Sequence, residues 1–381
     1  METIIKETAP HIRRKDSLTR MMLDVIIALS PTIIFALVVY RLDALRNLLV
    51  PVATMVLCEF VYVLVTNRLP YDVNKKHTFE EQFKFGVSHY KLANFMVPTV
   101  SGLIYGLIMP ASTTNPGVIW FALVLGSIFG LVLGKLVFGG TGSNIFNPAA
   151  LAMVFSKLCF GSQFKYTSGI FPETTYISGT GDNTQVITAG TPLSEMKAGY
   201  YSVYQVKDLF LGSISGSIGE TCKICLLVGF VYLLIRHASD WRITVSYIAS
   251  FLFLILFSGI ILHAKSSTLN IGNYILVELL SGGLLFGAIF MATDPVTSPI
   301  TKPGRIIYGC LLGVTTAIIR LFGGLMEGVI FSILIGNMFT SVIDYYKWSS
   351  PKFNWKNIVA ASSIVIVGAL VVIWAMCVKE L

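Results

Sequence analysis

Apolar residues run along this chain in long blocks, and polar residues collect between them. Eleven blocks have the length and composition of membrane-crossing helices: about 22–40, 45–66, 92–109, 117–136, 147–160, 218–235, 243–262, 272–291, 306–322, 325–346 and 357–378. A run of about 20 apolar residues spans a bilayer core, and only a helix satisfies its backbone there. The fifth block is short and flanked by Gly and Pro, so a re-entrant or tilted segment is expected. One long polar interval interrupts the pattern, from Gly161 to Lys207. Within it, Ile187-Thr188-Ala189-Gly190-Thr191-Pro192-Leu193 sets a Thr in a small-residue turn before Pro-Leu, exposed and easy for another enzyme to reach.

Composition agrees. The chain is 54% hydrophobic and 13% charged, against about 25% charged in soluble domains. The expected class is an all-α polytopic membrane protein. No short signal peptide with a cleavage site is visible, so the first helix is expected in the mature protein. The net charge of +8 does not call for nucleic acid; in such a chain Lys and Arg report orientation. One side collects eighteen of the twenty-eight basic residues, including Arg13, Arg14, Lys75, Lys76, Lys135, Arg236, Arg242, Lys302 and Arg305, and the other collects seven. The richer side is read as cytoplasmic, which sets 161–207 outside and 67–91 inside. Lys157, Lys223 and Arg320 lie in or at the ends of blocks and report neither side.

An internal repeat is visible. Ser101-Gly102-Leu103-Ile104-Tyr105-Gly106 echoes Ser281-Gly282-Gly283-Leu284-Leu285-Phe286-Gly287, Pro116-Gly117 echoes Pro303-Gly304, and Phe138-Gly139-Gly140 echoes Phe322-Gly323-Gly324. Five blocks, an odd number, separate the copies, so the second copy is inverted. Inverted repeats set sites near the midplane, at broken helices. About 10 core helices are expected as a 5+5 inverted repeat, with an extra C-terminal helix. The chain then divides into a cytoplasmic N-terminus (1–21), a first five-helix repeat (22–160), an extracytoplasmic loop (161–207), a second five-helix repeat (208–346), and a cytoplasmic loop with the extra helix (347–381).

Two cytoplasmic stretches carry candidate chemistry. In Gly139-Gly140-Thr141-Gly142-Ser143-Asn144-Ile145-Phe146-Asn147-Pro148 the glycines allow close backbone approach to a ligand. Asn144 and Asn147 could present two amides to the edge of a heterocycle, or cap the following helix. The other stretch is Thr293-Asp294-Pro295-Val296-Thr297-Ser298-Pro299, where Asp294 suits ligand or cation contact or a capped loop. Glu59 and Glu278 sit inside blocks, where ionisable residues are functional candidates. Asp24, Asp344 and Glu327 lie near block ends, where capping or snorkelling is the simpler role. Of the six cysteines only Cys222 and Cys225 are paired, as CxxC; one pair cannot complete a four-Cys metal or iron–sulfur site. Packing is the reading preferred there over redox chemistry.

Five motifs in order resemble one family. They are Phe138 to Ala149, Thr191-Pro192-Leu193, Gly212-Ser213 with Gly216-Ser217-Ile218-Gly219-Glu220-Thr221, Ala292-Thr293-Asp294-Pro295-Val296-Thr297, and Ile343-Asp344-Tyr345. Over roughly 15–347 the chain resembles the RnfD family of Rnf electron-transport complexes, which is homologous to the NqrB family of the Na⁺-translocating NADH:quinone oxidoreductase. The resemblance implies a flavin-bearing electron-relay subunit of an ion-translocating (Na⁺ or H⁺) ferredoxin:NAD⁺ oxidoreductase in the bacterial inner or plasma membrane. The complex, not this chain alone, is then the enzyme.

The resemblance also implies site residues. FMN is expected as a phosphoester on Thr191 in the 161–207 loop, attached by a flavin transferase. The family motif resembles Ser/Thr-Gly-Ala-Thr, and here Ala189 and Gly190 are exchanged. Thr180 is a nearby competitor, and Thr191 is preferred because Pro192-Leu193 follows it. A non-covalent riboflavin is expected at Asn144 and Asn147, with Gly140 and Asp294 close by. Glu59 and Asp344 correspond to acidic residues on an ion path. Partner subunits would hold iron–sulfur centres and further flavin. No strand-linked GxGxxG is present, so NAD is not expected on this chain. The short N-terminus resembles RnfD more than NqrB, which remains the alternative. The eleventh block departs from the family core. A solute channel or transporter with a similar inverted repeat is the rival of a different class.

Overall fold

The structure is a computed structural model that describes residues 18–67, 78–140, 142–171, 175–178, 185–188, 191–197, 206–265, 270–323, 328–345 and 353–378. Thr180, Glu327 and most of the N-terminus lie outside them.

The apolar blocks fold as helices. The first half contains α1 (Leu18–Tyr40), α2 (Leu42–Thr66), α3 (Phe79–Ser88), α4 (Leu92–Ile108), α5 (Val118–Gly134) and α6 (Pro148–Phe160). The polar interval holds α7 (Pro192–Lys197) and is followed by α8 (Val206–Leu211). The second half contains α9 (Lys223–Ile235), α10 (Trp241–Lys265), α11 (Ile271–Leu280), α12 (Leu284–Phe286), α13 (Lys302–Phe322) and α14 (Val329–Ile343). The chain continues to α15 (Trp355–Val378). Two short antiparallel pairs complete the description: β1 (Ser112–Thr113) with β2 (Phe164–Lys165), and β3 (Thr175–Ser178) with β4 (Gln185–Thr188).

The protein is an all-α polytopic membrane protein, but its helices are less uniform than the eleven blocks. Among the described residues, six are long and apolar enough to cross a membrane alone. Two bent pairs, α3 with α4 at 74° and α11 with the Leu284–Met291 segment at 56°, raise the number to eight. The remaining blocks fold short: α6 and α9 have 13 residues and α14 has 15. The sixth block loses its first turn, because Ile218 and Gly219 donate backbone hydrogen bonds to Met109 and Leu107 at the end of α4 instead. The eighth breaks at Ser281-Gly282-Gly283, where Gly282 has φ 61°, and resumes as α12 and a π-helical turn, Gly287–Met291. Each half thus has one bent pair at its third position; the repeated Ser-Gly motif marks the break in the second half, whereas in the first it lies inside α4.

Helix contacts are made through small residues, as expected where lipid offers no hydrophobic drive. Three GxxxG pairs do this. Gly102 and Gly106 of α4 lie against α2, where a Cβ on Gly102 would meet the Val52 Cα at 2.8 Å. Gly126 and Gly130 of α5 lie against α6, and Gly309 and Gly313 of α13 against α10. The two halves meet where α1 packs on α9 and α6 on α14. α15 packs on α10 and α13, and Lys265 Nζ donates to the Met376 carbonyl at 2.9 Å.

Candidate functional site

Thr191 is the N-cap of α7, with Pro192 in the first turn. Its Oγ1 accepts from the Ser194 N–H at 3.4 Å, and Ser194 Oγ donates to the Thr191 carbonyl at 2.6 Å. The β3–β4 hairpin leads into it, with Thr175 paired to Thr188. Lys197, in the last turn of α7, donates to the Gly323 carbonyl at 2.8 Å and fixes the segment to the end of α13. Thr191 is half-buried and borders a pocket lined also by Lys157, Tyr166, Ser217, Glu220 and Lys223. Lys223 is buried and donates to the carbonyls of Glu220 and, at 3.1 Å, Gly282. Ser217 Oγ is buried and has no hydrogen-bond partner among the described residues. Two ammonium-bearing chains, an unsatisfied hydroxyl and a reachable threonine suit an anionic group esterified to Thr191. The closed space is about 40 Å³, room for about three waters, so the donor set fits a phosphate better than a ring system.

The second place is the seam between the two halves, where the two asparagines do different things. Asn147 is buried and caps α6: its Oδ1 accepts from Ala149 and Ala150 N–H at 3.0 and 3.3 Å. Its Nδ2 donates to the Met291 carbonyl at 3.2 Å, joining the first half to the π-helical turn of the second. Asn144 is half-buried, and its Oδ1 is enclosed with no partner among the described residues. Asn144 faces a cavity shared with Met22, Ser101, Thr293 and Asp294. Asp294 organises its own loop, accepting from Thr297 Oγ1 at 2.9 Å, and burial pushes its carboxyl up from the usual carboxylate value. Gly140 has φ 88°, and a Cβ there would meet the Tyr62 ring at 3.2 Å. The cavity encloses about 60 Å³. That admits a few waters but not a three-ring heterocycle, so the polar partners fit a flavin edge and the closed volume does not.

Two buried acid–base pairs complete the picture. Glu59 of α2 meets Lys135, the residue after α5, at 2.9 Å, with both side chains enclosed. Glu278 of α11 meets Arg320, near the end of α13, at 3.1 Å, also enclosed. The cations end the fourth helix of each half, α5 and α13, but the acids come from α2 and α11, which do not correspond, so the pairs are not counterparts. The sequence singles out both acids but not their partners: Arg320, like Lys157 and Lys223, is a cation inside a block that reports no orientation. That placement is the available signal, since a cation at membrane depth needs a specific partner or site. Asp344 stands apart from these pairs. It accepts from Ile300 N–H at 2.6 Å and Thr301 Oγ1 at 2.7 Å and ties α14 to the start of α13. Asp24 pairs with Arg236 at 3.2 Å, a helix-end role as its position suggests.

The model of the NQR2, RnfD, RnfE family matches residues 5–351. The chain is 32% identical over 342 residues to the D component of the Na⁺-translocating ferredoxin:NAD⁺ oxidoreductase complex of Acetobacterium woodii, covering 89% of this chain and 92% of that one. It is 30% identical over 355 residues to the D component of the proton-translocating ferredoxin:NAD⁺ oxidoreductase complex of Clostridium ljungdahlii, covering 90% and 94%. It is 35% identical over 249 residues to the B component of the Na⁺-translocating NADH-quinone reductase of Chromohalobacter salexigens, covering 65% and 57%.

Proposed function

The chain belongs to the NQR2, RnfD, RnfE family, and from that premise we propose that it is the RnfD-type component of an ion-translocating ferredoxin:NAD⁺ oxidoreductase and carries FMN on Thr191. Similarity along nearly the whole length of two such components supports the first part, where the quinone reductase relative matches over 65% of the chain. The observation that carries the flavin is the pocket at Thr191. A hydroxyl capping a short helix is held by α7 beside Lys157, Lys223 and the unsatisfied Ser217 Oγ. The lysines offset the negative charge of a phosphoester, and the α7 anchor on Gly323 keeps the hydroxyl at the pocket mouth. A flavin there supplies the one-electron chemistry that side chains lack. Maturation by a flavin transferase and assembly with iron–sulfur and flavin subunits belong to the same proposal.

Asn144 Oδ1 supports a second, non-covalent flavin, riboflavin, in the cytoplasmic cavity. Such a ligand donates to Asn144 and requires the first turn of α1, which forms one wall, to give way. The experiment for the covalent flavin is mass spectrometry of the chain co-expressed with a flavin transferase. The 191–197 peptide should carry the FMN mass and fluoresce on a denaturing gel, and Thr191→Ala should lose both. An adduct on Thr180, or no adduct, would overturn the assignment.

A further inference from the structure

The polar segment 212–222 returns the chain to the membrane and ends at Cys222, the N-cap of α9. Cys225 follows one turn into the helix. Side chains three apart inside a helix have Cβ atoms about 5–6 Å apart, wider than the 3.5–4.5 Å a disulfide needs. Cys222 escapes that limit because a cap residue is not helical: its φ and ψ are −85° and 104°. The two sulfurs consequently lie 3.2 Å apart, Cys222 Sγ–H donating to Cys225 Sγ. Cysteines used only as small hydrophobes need no sulfur–sulfur contact, and Cys58, Cys159, Cys310 and Cys377 occur singly.

We propose that Cys222 and Cys225 form a reversible dithiol–disulfide couple that exchanges with small extracytoplasmic disulfides. Three features carry this. The Sγ contact leaves a movement of about 1 Å to reach the bond length of about 2.0 Å. Helix N-termini favour thiolate. The basic-residue distribution sets this end of α9 outside, where disulfides persist. Cys222 is buried and Cys225 half-buried, which fixes the order of events. Cys225 thiolate attacks one sulfur of the incoming disulfide, forming a mixed disulfide and releasing the first thiolate. Cys222 Sγ then attacks Cys225 Sγ and displaces the second. The two thiol protons go to the two released thiolates. The chain is oxidised by two electrons, and the small disulfide is reduced to two thiols.

The couple lies beside the Thr191 pocket. Thr221 and Lys223, on either side of Cys222, both line it. Gly212 (φ 88°) is pressed against the Cys222 backbone, where a Cβ would meet the Cys222 N at 2.9 Å. Drawing Cys222 toward Cys225 therefore moves a residue held between two walls of the pocket. The inference needs no flavin, so it stands or falls separately from the proposed function.

The test equilibrates the purified full chain with glutathione buffers of stepped reduced-to-oxidised ratio, quenches with acid and alkylates. Peptide mass spectrometry should find Cys222 and Cys225 joined, two hydrogens lighter, in a fraction that follows the squared glutathione concentration over glutathione disulfide. Cys222→Ser should trap glutathione on Cys225, whereas Cys225→Ser should leave Cys222 free. Independent alkylation of both cysteines at every ratio would overturn the proposal. So would a bond that stays closed at every ratio, which would be a staple, or a mixed disulfide in the unsubstituted chain that never resolves.

Discussion

Asn144 and Asn147 are three residues apart, and the sequence offers both as ligand amides or caps. The fold separates the roles. Asn147→Ala should cost about 1–2 kcal/mol, as lost helix caps do, read as a lower unfolding midpoint in detergent. Asn144→Leu should leave that midpoint within about 0.5 kcal/mol and reduce extractable non-covalent flavin. Unchanged flavin in that folded variant would remove riboflavin from this cavity. The same division holds for the buried ions. The acids were visible as charges inside apolar blocks, but a partner 76 positions away, Lys135 for Glu59, depends on helix packing and has no local signature. Lys135→Met should be strongly destabilising, about 3–5 kcal/mol, because it removes the cation paired with a buried carboxylate. Adding Glu59→Leu should recover most of the loss. If that rescued variant couples electron flow to ion movement normally, the pair is structural and Glu59 is not on the ion path.

At the scale of elements, hydrophobic length located helices well and their shape poorly. The blocks at 272–291 and 218–235 look like continuous spans, yet one breaks at Gly282 and the other starts at Lys223. The second loss comes from tertiary hydrogen bonds, such as Gly219 N–H to Leu107, and at the first the left-handed Gly282 gives its carbonyl to Lys223 Nζ; window hydropathy sees neither. The spacing of glycines was more informative than their number. Gly313→Val should separate α13 from α10, since a Cβ there would meet the Tyr247 carbonyl at 2.6 Å. Loss of folded protein during detergent extraction is the expected readout, and Gly117→Val, in open space, is the control. The ends of the same two helices are joined by Asp240, which bonds Arg242 and Arg305. Partial burial opposes its charge, but the Arg242 N–H and the Arg305 guanidinium outweigh that and hold its carboxyl below the usual value. A lowered folded pKa stabilises above the unfolded value and is lost as pH falls through the folded one. The stability gap between the unsubstituted chain and Asp240→Asn should therefore be largest at neutral pH and shrink below about pH 4.

For the whole molecule, composition established the class, and the repeat pointed to paired bent helices. The sequence named residues that border each pocket, Asn144 with Asp294 and Thr191, but not the remaining walls, because each pocket is assembled from both halves. Orientation is testable directly. In a background lacking the six native cysteines, Gly117→Cys should react with an impermeant maleimide in intact cells and Ser88→Cys should not. The reverse result would exchange the two faces and set Thr191 inside.

The shortness of α6 matters beyond packing. Asn147 caps its first turn at the seam between the halves, and Lys157 in its last turn lines the pocket at Thr191. Ten residues of helix separate them, about 15 Å, where the hydrocarbon core of a bilayer is about 30 Å thick. Where water enters the two pockets from opposite faces, most of the transmembrane voltage falls across this thin middle layer. A charge exchanged between the pockets does nearly the full electrical work, about 2.3 kcal/mol per 100 mV, over half the distance. The local field is then roughly twice that of the surrounding bilayer, and exchange between the two pockets becomes the voltage-sensitive step of any cycle that uses both.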